Sequence, residues 1–379
     1  MNARGRTLRL GTRGSDLALR QASTVVEALE DRRLSAELVE VETTGDQLRD
    51  ELIHRLGTTG AFVRSLDEKV IDGELDAAIH SMKDMPTDQP KELVVAGIPE
   101  RAAAGDVLVT PDGTSLEDLP TGATVGTSSL RRGAQLLAER DDLDIQPLRG
   151  NVDTRVEKLL APARQREHAA RVEAEESDTE GDGEGDADDD GDADEPAYER
   201  TVEEWFNDLA EIERRALERE VDTEYDAICL AEAGLRRSGL LHHLDYERLD
   251  PTTFVPAAGQ GALAVTALDG DLAESLHEVL DHPRSRVETT VERTVLGELG
   301  GGCVAPLGVY ARLQGEVVTT SVRVLAQDGS EEVSATRDIP VERHAEAAAT
   351  FAEDLADQGA RRLIDEAKRD QPDDAKRDQ

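Results

Sequence analysis

The chain has 379 residues and a formal net charge of −40, from 83 acidic and 43 basic side chains. That length gives room for two or three domains, two cysteines make no disulfide framework, and no apolar run matches a membrane span or signal segment. No basic face suits nucleic acid, so a soluble cytoplasmic protein with neither nucleic-acid nor membrane partners is expected.

Positions 173–195 hold 14 acidic residues and no basic one, while the rest of the acidic charge is dispersed. A dispersed acidic surface with only six lysines points to a salt-loving organism, where charge keeps the protein soluble. In so acidic a chain, clustered arginines mark the expected site of an anionic ligand.

Leu8–Gly11 reads as a short strand running into Thr12-Arg13-Gly14-Ser15. A helix follows through Leu17, Ala22, Val25 and Leu29, capped by Ser15 or Asp16. A strand, a polar glycine turn and a helix start suit an anion, because the first helical N–H groups point outward. Arg13 would add charge there, or stand as a solvated turn arginine. Glu37–Glu42 alternates as a second strand, 55–62 is loop, and Phe62–Ile71 is a helix. Asp76–His80 is a strand delivering Ser81-Met82-Lys83-Asp84-Met85-Pro86 at its carboxyl end, where open α/β sheets bind ligands. Asp84 is thereby a candidate catalytic carboxylate with Lys83 beside it. A solvated Lys-Asp turn before a proline is the plainer alternative.

Leu93–Gly97 and Asp106–Thr110 are strands, and 99–105 between them is a possible hinge into a second α/β unit. Ala123–Gly126 is a strand, and Thr127-Ser128-Ser129 caps a helix carrying Arg131 and Arg132 in its first turn. Cations there are disfavoured by the helix dipole, so hydroxyls with paired guanidinium groups favour a carboxylate or phosphate ligand. The strand Asp144–Leu148 ends in a turn with Arg149 and Arg155. Asp226–Leu230, with Cys229 as a small core residue, leads to Arg236 and Arg237. Basic residues at so many strand ends argue for one polyanion cleft. Between Leu160 and Tyr225, charged helices flank the acidic tract, which cannot bury enough apolar surface to fold. Residues 161–222 therefore read as a surface insertion, partly disordered.

Phe254–Val265 is a glycine-rich turn into a strand that could return the chain to the first unit, and Leu272–Leu280 is a helix. Ser285–Leu299 is a helix with Val287, Val291, Val295 and Leu299 on one face. It ends at Gly300-Gly301-Gly302-Cys303, where three missing side chains let the backbone turn and a large group approach the sulfur. A glycine C-cap beside a buried cysteine is the plainer reading. Val309–Leu313, Glu316–Ala326 and Glu332–Ile339 form an antiparallel three-stranded sheet, a helix from Val341 to Lys368 covers it, and the tail frays.

Six of these stretches occur in a telling order: Leu10–Ser15, His80–Pro86, Gly126–Arg132, Arg149–Val152, Gly259-Gln260-Gly261 and Gly302-Cys303. Together they closely resemble the porphobilinogen deaminase family, over nearly the whole chain except 161–222 and the tail. The resemblance implies two doubly wound α/β domains resembling type II periplasmic binding proteins, and a small α+β domain with the cysteine. Domain 1 would be 1–102 with 262–282, domain 2 103–261, domain 3 283–369, and the tail 370–379. A transferase is implied, a monomer with no metal, acting in tetrapyrrole, porphyrin and heme biosynthesis. Hydroxymethylbilane synthases of this kind join four porphobilinogens, with loss of ammonia, on a dipyrromethane cofactor, and hydrolysis then releases hydroxymethylbilane. Cys303 would hold that cofactor through a thioether. Asp84 would accept hydrogen bonds from the pyrrole N–H groups and stabilise the azafulvenium cation. Arg13, Arg131, Arg132, Arg149 and Arg155 would hold acetate and propionate arms, with neutral hydrogen bonds from Ser15, Thr127, Ser129 and Gln260. Lys83 and Arg237 match further basic positions. The 55–62 loop lacks the lysine common in bacterial members, and Arg55 could replace part of that charge. Two other readings compete: a non-enzymatic anion-binding protein of the periplasmic-binding type, and a cysteine-nucleophile transferase needing a general base near the thiol.

Overall fold

The computed structural model describes residues 6–41, 61–180, 198–302 and 305–369. The first unit runs β1 (Leu8–Arg13), α1 (Asp16–Asp31), β2 (Ala36–Val41), α2 (Ala61–Ile71), β3 (Ala77–Ser81) and β4 (Leu93–Gly97). The chain then crosses to β5 (Asp106–Val109), β6 (Thr124–Gly126), α3 (Leu130–Glu139), β7 (Asp144–Gln146), α4 (Val152–Glu180), α5 (Val202–Asp208) and α6 (Glu211–Leu217). β8 (Ala227–Ala231), α7 (Glu232–Ser238) and β9 (Tyr246–Arg248) complete that unit, and the chain crosses back to β10 (Leu263–Leu268) and α8 (Asp271–Leu280). The remainder is α9 (Pro283–Glu298), β11 (Leu307–Gln314), β12 (Val317–Leu325), β13 (Glu332–Pro340), α10 (His344–Asp357) and α11 (Ala360–Arg369).

The two α/β sheets have equivalent orders, β2-β1-β3-β10-β4 and β7-β6-β8-β5-β9. In the first, β1 is parallel to β2 and β3, and β10 is antiparallel to β3 and β4. In the second, β6 is parallel to β7 and β8, and β5 is antiparallel to β8 and β9. Each antiparallel strand is the one that has just arrived from the other unit. These are the doubly wound, binding-protein-like sheets expected above, with carboxyl ends of parallel strands carrying the basic turns. Strand β9, too short to show a periodicity, is a feature that the sequence reading missed.

The two crossing segments run side by side. The Ala102 N–H donates to the Gly261 carbonyl at 3.2 Å. Gly261 has φ +85°, and a Cβ there would lie 2.6 Å from the Ala102 oxygen, so both conformation and space demand glycine. Two buried charge clusters clamp this crossing. Asp106 accepts from Arg131 Nη2 at 2.7 Å, Arg132 Nε at 2.9 Å and Gln260 Nε2 at 2.9 Å. Arg101 donates to both oxygens of Glu292, at 2.7 and 2.9 Å, and to the Gln260 carbonyl at 2.9 Å. Glu292 also accepts from the backbone N–H groups of Gly259 at 2.7 Å and Ala311 at 2.8 Å. One carboxylate on α9 thus joins both crossing segments to β11.

The third sheet is antiparallel, in the order β11-β12-β13. Val291 and Val295 of α9, Phe351 and Leu355 of α10, and Leu363 of α11 share its core. The single covering helix expected from Val341 to Lys368 is two helices. Gly359, at φ +106°, takes a conformation that a helix cannot continue through, and the chain restarts at Ala360.

The reading of 161–222 as a surface insertion needs correction. α4 is continuous from Val152 to Glu180, with Val156, Leu159 and Ala161 buried. Ile212 and Ala216 of α6 join the same core as Val107 and Ile228. The buried Glu157 carboxylate pairs with both Arg215 and Arg219. Arg171 of α4 lies over the rings of Tyr198 at 4.3 Å and Trp205 at 5.1 Å. Flanking helices with one or two apolar residues per turn hid this packing. The acidic stretch 181–197 lies outside the described residues. Among them, no helix is long and apolar enough to cross a membrane.

Glu292→Ala takes from buried Arg101 the carboxylate it hydrogen-bonds and removes the acceptor of two backbone N–H groups. The expected cost is about 3–5 kcal/mol, read by denaturant unfolding at constant salt; a loss below about 1 kcal/mol would deny this node its structural weight.

Candidate active site

The predicted carboxylate lies on a single 3₁₀ turn, Met82–Asp84, directly after β3. Three contacts fix the turn. The Met82 N–H donates to the Ala262 carbonyl at 3.0 Å. Gly259, at φ +73°, lies against it so closely that a Cβ would come within 2.8 Å of Met82 Cγ. Arg293 of α9 donates to the carbonyls of Met82, Met85 and Pro86 at 3.3, 3.2 and 2.6 Å. The turn is therefore held from the return segment and from the third unit. No hydrogen bond or ion pair to the Asp84 carboxylate occurs among the described residues.

Lys83 faces the second unit. The Asp84 carboxylate favours its charge, but burial and the guanidinium groups of Arg132 and Arg155 outweigh this and lower its pKa. Arg155, near the start of α4, donates to the Gly150 carbonyl at 2.8 Å. Burial, then the nearby Arg132 charge, brings its pKa down to about 10. Arg237 of α7 donates to the Gly261 carbonyl at 2.7 Å, and burial lowers its pKa. Neither Arg155 nor Arg237 has a carboxylate partner among the described residues. Exposed Arg236 instead pairs with Glu232 at 2.6 Å, which distinguishes the two adjacent arginines.

Arg131 and Arg132 occupy the first turn of α3 as expected, but both are buried against Asp106. Burial opposes the Asp106 charge, yet the two guanidinium groups prevail and hold its pKa below the ordinary aspartate value. One carboxylate between two arginines explains how cations tolerate a helix N-terminus, and it still leaves an excess positive charge. Gln260, 1% exposed, places its amide between this cluster and the Ala104 carbonyl. Thr127 Oγ1 accepts from the Ser129 N–H, and Ser129 Oγ accepts from the Arg132 N–H. Each hydroxyl keeps its own proton to donate. Ser15 caps α1, accepting from the Ala18 N–H at 3.3 Å. Arg13 is half-buried at the end of β1, and Arg149 is half-buried after β7. The geometry thus brings Lys83, Asp84, Arg131, Arg132, Arg155 and Gln260 into one electrostatic neighbourhood, with Arg237 joined through Gly261.

Three residues of this neighbourhood escaped sequence reasoning: Asp106, Glu292 and Arg293. Asp106 had a signal, an aspartate heading an otherwise apolar strand. Glu292 lies beside Val291 on the core side of its helix, and Arg293 carried none. Cys303, and the 55–60 part of the lysine-free loop, lie outside the described residues. Cys229 is fully buried, and burial pushes its thiol up to about 12, in keeping with a core role. A hollow of about 420 Å³ lined by residues including Asp208, Glu213, His242, His243 and Asp245 shares none of the site residues, and its carboxylates suit no acidic ligand.

The approach to Cys303 is well defined. Leu299 is the C-cap of α9 and Gly300 follows at φ +67°. The Gly301 N–H donates to the Leu296 carbonyl and the Gly300 N–H to the Gly297 carbonyl, both at 2.9 Å, the paired bonds of a Schellman turn. A Cβ on Gly301 would lie 2.7 Å from Leu307, whereas nothing stands within 4 Å of one on Gly302. The glycine C-cap is realised, and two of the three glycines are required by it.

Comparison with known proteins gives the following. The family model for the porphobilinogen deaminase dipyromethane cofactor binding domain matches residues 8–176 and 211–275. That for the porphobilinogen deaminase C-terminal domain matches 287–357. A probable porphobilinogen deaminase of Halobacterium salinarum is 54% identical, covering 94% of this chain and 97% of its own. One from Methanococcoides burtonii is 37% identical, covering 94% and 95%. The porphobilinogen deaminase of Exiguobacterium sp. is 34% identical, covering 95% and 98%. The stretch without a family counterpart, 177–210, is narrower than the expected 161–222, as the packing of α4 and α6 requires.

Because the Lys83 pKa is lowered, raising the pH toward its ordinary value of 10.5 removes this cation early. The folded form holds that proton less tightly than the unfolded form, so stability rises through this window while anion affinity falls. Affinity for a small polycarboxylate, measured by calorimetry as the pH is raised toward 10.5, should drop in the wild type and less in Lys83→Arg. Parallel profiles would exclude Lys83 from anion binding.

Proposed function

We propose, proceeding from the fact that this chain belongs to the porphobilinogen deaminase family, that its cleft builds hydroxymethylbilane from porphobilinogen for tetrapyrrole biosynthesis. The carrying observation is the gathering of cations at strand ends, with Lys83, Arg132 and Arg155 close enough to feel one another's charge, Arg131 and Arg132 sharing the one carboxylate of Asp106, and no carboxylate partner of Arg155 or Arg237 among the described residues. Porphobilinogen carries an acetate and a propionate arm, and an elongating chain is a polycarboxylate of matching charge. The cofactor, when bound through Cys303, supplies the pyrrole end on which the chain grows.

The chain's own residues would act as follows. Arg155 and Arg237 offer guanidinium N–H groups to carboxylate arms, as would Arg13 and Arg149 from their own strand ends. Arg132 and Arg131 contribute the excess charge of the Asp106 cluster. Lys83 adds a compact charge, and Ser15, Thr127 and Ser129 add hydroxyl donors. Gln260 keeps the arginine pair oriented. Asp84, with its acceptor lone pairs unengaged among the described residues and its turn held on three sides, accepts from pyrrole N–H groups and stabilises positive charge developing on the ring. A pre-set carboxylate needs no reorganisation as that charge forms.

We keep the division into 1–102 with 262–282, 103–261 and 283–369, which the presence of three separate sheets supports. The enzyme is taken to act as a cytoplasmic monomer on a free small molecule, without nucleic acid or membrane. A non-enzymatic anion binder would have no use for a cofactor-binding domain.

Asp84→Ala should lower turnover of porphobilinogen by at least about a hundredfold with an unchanged melting temperature; product formation within threefold of wild type contradicts the role given to Asp84. Cys303→Ser should show the bare polypeptide mass after expression in cells that make porphobilinogen. A normally loaded mass in that variant would move the attachment point elsewhere.

A further inference from the structure

We propose that Arg361 and Lys368, on the last described helix, are positioning residues for the segment leading into Cys303. This inference rests on the reading above, in which Cys303 receives the cofactor. The Schellman turn satisfies the carbonyls of Leu296 and Gly297 but leaves later ones without intrahelical partners. α11 supplies those partners. Arg361 Nη2 donates to the Glu298 carbonyl at 2.8 Å, and Lys368 Nζ donates to the Gly300 carbonyl at 2.7 Å. Two cations therefore sit at the negative end of the α9 dipole.

These side chains reach across from a helix that is itself anchored. Ala360, Leu363, Ile364 and Ala367 are buried in the third unit's core, and Gln327 Nε2 donates to the Ala367 carbonyl at 2.9 Å. Arg361 and Lys368 are themselves exposed, so neither is a core residue. Downstream, the Ala305 N–H donates to the Gly302 carbonyl at 3.2 Å, so the chain is pinned on both sides of the attachment residue. The match to the C-terminal family domain stops at 357, short of this helix.

Attachment joins the Cys303 sulfur to the aminomethyl carbon of a pyrrole; the carbon–nitrogen bond breaks, and the thiol proton leaves with the amine as ammonia. A correctly set approach of the sulfur governs its rate, whereas the bond once formed is permanent. Loss of the α11 contacts should therefore slow attachment while leaving global stability nearly intact.

The test uses the full-length apoprotein, made without porphobilinogen and then given it. Intact mass follows loading over time, and iodoacetamide labelling of Cys303 gives thiol exposure independently. In Arg361→Met/Lys368→Met, loading should slow about tenfold and the labelling rate should change, with a melting temperature within two degrees of wild type. Arg361→Lys/Lys368→Arg should recover most of the rate. Wild-type loading in the double methionine variant overturns the inference. If wild-type apoprotein itself never gains mass, the reading of Cys303 falls instead.

Discussion

Everything in the cleft depends on charges buried where the chain crosses twice between its α/β units. Asp106, between Arg131 and Arg132, and Glu292, gripping Arg101, are removed from water almost completely. Such pairs repay their desolvation only when every lone pair and proton finds a partner. Here the backbone N–H groups of Gly259 and Ala311 and the Gln260 amide add donors to the two carboxylates, while Arg131 Nε stays buried without a hydrogen-bond partner among the described residues. The crossing is thus a rigid joint, and the turn carrying Lys83 and Asp84 rests against it through Gly259 and Ala262.

The joint has a second consequence. A protein with net charge −40 repels anions at long range, yet its cleft gathers positive charge. In molar salt the screening length falls to about 3 Å, so surface repulsion reaches little beyond contact. Lys83, Arg155 and Arg237 are half-buried, so that screening reaches them less than it reaches the surface, and partial burial together with neighbouring guanidinium groups at Lys83 and Arg155 lowers their pKa values. Mutual repulsion among cations held this close is the natural counterpart of affinity for an anion.

The third unit is more than a carrier for the cysteine. Arg293 binds three carbonyls of the Met82–Pro86 turn, and Glu292, its neighbour in sequence, binds the crossing. Successive residues of α9 therefore couple Asp84 to the helix whose end approaches Cys303. Arg323 of β12 adds contacts to Glu139 and Thr253 of the second unit.

Local patterns were enough for most of the architecture. Alternating and four-residue periodicities located strands β1–β8 and β10–β13 and most helices to within a few residues, and polar turns at strand ends singled out Lys83, Asp84, Arg132, Arg155 and Arg237, which the fold brings near one another. The order of six short motifs carried the family. These are properties of consecutive residues, so a one-dimensional reading reaches them. What consecutive residues do not contain is the partner of a charge. Arg131 and Arg132 read as bare cations awaiting a ligand, and only folding brought Asp106 between them from 25 residues away. Glu292 and Arg293 drew no reading from the sequence, and only folding closed Arg101 and the Met82 turn on them. The charged flanks of the acidic tract read as loose for the same reason, since Ile212 and Ala216 find their core on α4. Long-range pairing of buried charge is decided in three dimensions, because its free energy depends on distance and on the water excluded around it, neither of which a local pattern records.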